Sequence, residues 1–77
     1  MTDRNQLKND ILIYVKRMWG ATVSLIHEHV GGTPEMVWAL LYELDNEGKV
    51  SVGKGYSGKF TADLPDDWEI REVIIRN

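Results

Sequence analysis

The chain has 77 residues, of which 43% are hydrophobic and 27% charged, with no cysteine and a net charge of -3. That is the composition of one small globular domain, not of a disordered segment, a disulfide framework or a thiolate metal site, and its charge gives no overall pull toward phosphate or acidic membranes. No stretch approaches the ~20 apolar residues of a membrane span, and MTDRNQLKND lacks the apolar run of a secretory signal, so a cytoplasmic protein with no membrane partner is expected.

Residues 4–19 carry Leu7, Ile11, Tyr14, Val15 and Met18 at helical spacing, which predicts an amphipathic helix ended by Gly20. Thr22 is placed to cap a short second helix, VSLIHEHV, with Val23, Ile26 and Val30 facing inward. Gly31 and Gly32 make the turn. Thr33 is a good N-cap and Pro34 a good first residue for a third helix, 34–47, with Val37, Leu40, Leu41 and Leu44 on one face and Gly48 at its end.

The period then changes. Lys49–Val52 and Lys59–Leu64 are short strand-like runs around a glycine-rich tip, 53–58, which predicts a β-hairpin. In the tail, Asp66 or Asp67 could cap a helix through Trp68, Ile70, Val73 and Ile74, whereas the β-branched run Val73-Ile74-Ile75 favours a strand. The balance falls to the helix.

Helix, short helix, glycine turn, helix, hairpin is the order of the winged helix-turn-helix superfamily. The chain resembles that superfamily also in the spacing of Val37, Leu41, Leu44, Gly48 and Val50. The resemblance covers roughly residues 5–62. It implies an α+β fold: three helices, a two-stranded β-hairpin wing at 49–62 and a C-terminal helix or strand. The expectation is one domain over 1–77, with its core in 5–62 and an extension at 63–77.

The resemblance also implies a small DNA-binding protein, a transcriptional regulator, with the third helix in the major groove of double-stranded DNA and the wing on phosphates. The residues it points to are Thr33, Glu35, Trp38, Ala39, Tyr42 and Asn46 on the helix and Lys54, Tyr56 and Lys59 in the wing. Against it stands the charge. From Met18 to Gly48 there is no Lys or Arg, while Glu28, Glu35, Glu43, Asp45 and Glu47 are present. Phosphate neutralisation supplies most non-specific affinity, so cations must come from Arg4, Lys8, Lys16 and Arg17 of the first helix and from Lys49, Lys54 and Lys59. The alternative is a protein-interaction module that docks a partner on the acidic, aromatic face of the third helix through Trp38 and Tyr42. A third account of those two aromatics is that the tail folds over them and they complete the core. The apolar tail, 68–76, either packs on the first helix or forms a homodimer contact.

Other motifs carry less. Gly53–Phe60 nearly spells a P-loop, but Phe60 stands where a magnesium-holding hydroxyl is needed and no helix follows. His27 and His29 are two apart and point different ways on a helix, so they do not chelate one metal. Asp66-Asp67 and Glu43 with Asp45 read as caps and solvated faces. No enzyme constellation and no cofactor is implied.

Overall fold

The computed structural model describes residues 3–53 and 63–76. Helix α1 spans Arg4–Met18 and is capped by Asp3, whose carboxylate accepts from the Asn5 N–H at 3.1 Å. A two-residue strand β1, Ala21–Thr22, leads into α2, Val23–Val30, where the Thr22 hydroxyl accepts from Leu25 N–H. Helix α3 spans Pro34–Asn46. Strand β2, Val50–Val52, follows, then a single 3-10 turn at Trp68–Ile70 and strand β3, Glu72–Ile75. The three helix positions agree with the periodicity to within one residue at each end.

The sheet is antiparallel with the order β1-β3-β2. Its register sets Ala21 against Val73 on one side, and Val50, Ser51 and Val52 against Ile75, Ile74 and Val73 on the other. Among the described residues the partner of β2 is β3 in the tail; the expected hairpin tip and most of its second run, 59–64, lie outside the described residues. One expectation changes here. The tail is a strand and not a helix. β-Branched Val73-Ile74-Ile75 suits the pleat, and Asp67, the proposed helix cap, makes no cap bond; its carboxylate accepts from Arg71 Nε at 3.2 Å instead. Residues 63–77, expected to lie outside the core, therefore supply the central strand.

Val73 is fully buried between its two neighbouring strands, and it joins Leu7, Ile11, Val15, Val23, Ile26, Val37, Leu40, Leu41, Leu44, Val50 and Val52 in one cluster. Val50, Val52 and Val73 form the inner face of the sheet, against which the helices pack. Met18 was expected on the buried stripe of α1 but is exposed, because the helix runs past the core. Trp19 then takes the left-handed conformation, φ 61°, with its side chain 77% exposed. Gly48 adopts φ 77° after α3, a turn that an L side chain rarely makes, and it delivers the chain into β2. Among the described residues no helix is long and apolar enough to cross a membrane.

Candidate nucleic-acid interface

On α3, Glu35, Ala39, Tyr42 and Asn46 fall within a narrow arc of the helical wheel and share one stripe. Glu35 and Asn46 are exposed; Ala39 and Tyr42 are half-buried. Thr33 stands at the N-terminus of the helix as its cap: the hydroxyl accepts from Met36 N–H at 3.1 Å and is already engaged within the protein. Pro34 follows at the first helical turn, where its missing N–H leaves nothing unpaired.

Trp38 does not belong to this face. It is 2% exposed and is one of the largest fully buried side chains. The reason lies two turns along the helix. Asp45, on the same stripe as Trp38, accepts from the Val52 N–H at 3.0 Å, so this stripe faces β2. The expectation that Trp38 points outward is thus corrected, and the reading of the aromatics as core completion holds for Trp38. Lys54, Tyr56 and Lys59 lie outside the described residues. They fall within the expected wing, 49–62, in the connection between β2 and β3.

The acids at the C-terminal end of α3 are engaged by neighbouring elements. Glu43 pairs with Arg4 and with Lys8, the latter at 3.3 Å; Glu47 pairs with Lys8 and, at 3.3 Å, with Lys49. Hydrogen bonding to Arg4 holds the Glu43 carboxyl below its ordinary value, and Lys8 does the same to Glu47. Lys8 is raised in return, chiefly by its bond to Glu47. These pairs join two i,i+4 couples, Arg4/Lys8 on α1 and Glu43/Glu47 at the C-terminal end of α3, where Glu47 is the capping residue. That matched spacing was visible in the sequence, but the facing of the two helices was not. The outward face of α3 is left with one acid, Glu35. The same pairing engages Arg4 and Lys8, while Lys16, Arg17 and Arg76 form no ion pair with another described residue.

The histidines are held separately. His27 Nε2 lies 2.9 Å from the Gly32 carbonyl, with its ring edge-on to Trp68; His29 stacks on Tyr14 at 4.3 Å between ring centres. Among the described residues no group of three metal-ligating side chains comes together. No protein-family model matches this chain, and comparisons with curated proteins and with solved structures return no match.

Proposed function

We propose that the chain is a winged helix-turn-helix domain that binds double-stranded DNA, with α3 entering the major groove and residues 49–62 serving as the wing. The observation that carries this reading is the inward engagement of Glu43, Asp45 and Glu47. Three of the acids that argued against a phosphate surface are turned to α1 and β2. What α3 presents outward is Glu35, Ala39, Tyr42 and Asn46, a face of mixed chemistry able to meet base edges: a carboxylate accepts from cytosine N4, an amide pairs with adenine, and a methyl or ring meets the thymine methyl. The order of elements supports the same reading, with β1 between α1 and α2 and the sheet closed by β2 and β3. The alternative, an aromatic docking face for a protein partner, loses its main anchor with the burial of Trp38.

The reading makes a quantitative demand. With Arg4 and Lys8 engaged by acids, the wing lysines Lys54 and Lys59 are the main phosphate contacts. Each neutralised phosphate contributes about 0.9 to the log–log dependence of affinity on salt, so the slope should be shallow, about -2. Fluorescence anisotropy on random duplex DNA across a salt series measures it. Replacing Lys54 and Lys59 together by Ala should abolish the salt-dependent binding, and Tyr42→Ala should weaken binding without changing the slope. Absence of binding at low salt would overturn the proposal.

A further inference from the structure

The sheet has two faces, and the helices cover only the inner one. By strand alternation Glu72, Ile74 and Arg76 point to the outer side, and all three are exposed, Ile74 at 51%. They form a line of acid, apolar and base along the central strand. Glu72 and Arg76 lie about 13 Å apart along the strand, too far to pair with each other. Neither makes an ion pair with another described residue. The neighbour across from Arg76 is Lys49, whose carbonyl accepts from the Arg76 N–H at 3.0 Å, so a like charge stands beside it.

Beside Ile74 the face is hollow. Gly20, one step beyond the paired residues of β1, lies against it: a Cβ there would come within 3.2 Å of Ile74 Cγ2 and 3.1 Å of the Val73 carbonyl oxygen. The glycine thus lets the two strands approach closely, and next to this contact lies an open hollow of about 300 Å³ lined by Gly20, Thr22, Leu25 and Ile74 among others. Trp19 precedes Gly20 and is the most exposed of the large apolar side chains among the described residues, in a backbone conformation unfavourable to it. Exposed tryptophans are typical of contact surfaces.

We propose that this outer face binds the same face of a second copy, about a two-fold axis passing by Ile74. A two-fold contact requires a self-complementary patch, and the line Glu72-Ile74-Arg76 is one. Reversed on itself, it sets each Glu72 on the partner copy's Arg76 and brings the two Ile74 side chains together over the hollows. The helices lie on the other side of the sheet, so the contact leaves the outward face of both α3 helices uncovered. The inference is independent of DNA binding.

Sedimentation equilibrium of the full chain, from micromolar concentrations to about 1 mM, tests it. The wild-type mass should rise reversibly from 8.8 kDa toward twice that value. Glu72→Arg alone and Arg76→Glu alone should each weaken association by roughly tenfold or more, since each sets like charges together. The double exchange, Glu72→Arg with Arg76→Glu, should return it to within about threefold of wild type, a coupling only paired residues show. A chain that remains at 8.8 kDa throughout, single variants that associate as well as wild type, or a double variant no better than the singles would overturn the proposal. Circular dichroism of each variant separates lost association from lost folding.

Discussion

Trp38 in the middle of α3 and Trp19 at the end of α1 occupy opposite environments, one 2% and the other 77% exposed. Each departs from what its place in the sequence suggests. Trp38 falls beside the polar stripe of α3 on the wheel, yet it is buried because that side of the helix faces β2. Trp19 follows a well-formed apolar stripe, yet α1 outruns the core and leaves it in solvent. A helical period gives the phase of side chains around one axis. It does not give the arc that neighbouring elements cover or the point at which they stop.

The largest expected effect tests the buried member of the pair. Trp38→Ala should lower stability by about 3–5 kcal/mol, the range for removing a buried aromatic, as read by chemical denaturation. A loss under about 0.5 kcal/mol, ordinary for surface sites, would put Trp38 back on the outward face. The next test concerns Thr33, whose hydroxyl caps α3. Thr33→Ala should cost about 1 kcal/mol, and Thr33→Asp, which also caps, should cost much less. If neither changed stability while both weakened DNA binding, the hydroxyl would be a contact and not a cap.

Trp19 should respond in the opposite sense to Trp38. Trp19→Gly removes a bulky residue from a left-handed position where glycine is at ease, so at concentrations that keep the chain monomeric stability should rise, by about 1 kcal/mol at most. A loss instead would mean that the ring packs on its own chain. The smallest effect is on pH. Glu43 and Glu47 have lowered carboxyl values in the folded chain. Their contribution is complete above the ordinary carboxylate range and is lost as pH falls through the lowered values. These pairs are solvent-exposed, so the loss is small and salt should mask it. Acid titrations at low and high salt, with Glu43→Gln and Glu47→Gln together as reference, read the difference. An equal slope in wild type and variant would show that the pairs contribute nothing.

The sequence alone determined the local structure of the first two-thirds of the chain. Asp3, Thr22 and Thr33 cap where side-chain oxygens can reach the next turn, Pro34 opens α3, Gly48 closes it, and the apolar stripes Leu7/Ile11/Val15 and Val37/Leu41/Leu44 are buried as their spacing requires. These are short-range effects, each settled within a few residues. Tertiary structure decided what depends on distant partners. In the tail, Asp66 and Asp67 look like caps and favour a helix; pairing with both β1 and β2 makes Glu72–Ile75 a central strand and buries Val73. The acids of α3 looked like a repulsive surface until α1 was placed beside them with Arg4 and Lys8 in matching register. The self-complementary line Glu72-Ile74-Arg76 exists only once its residues form a strand with one face uncovered. In each case the residue types were legible, but burial, pairing and facing are properties of two elements together, and no window along one of them contains that information.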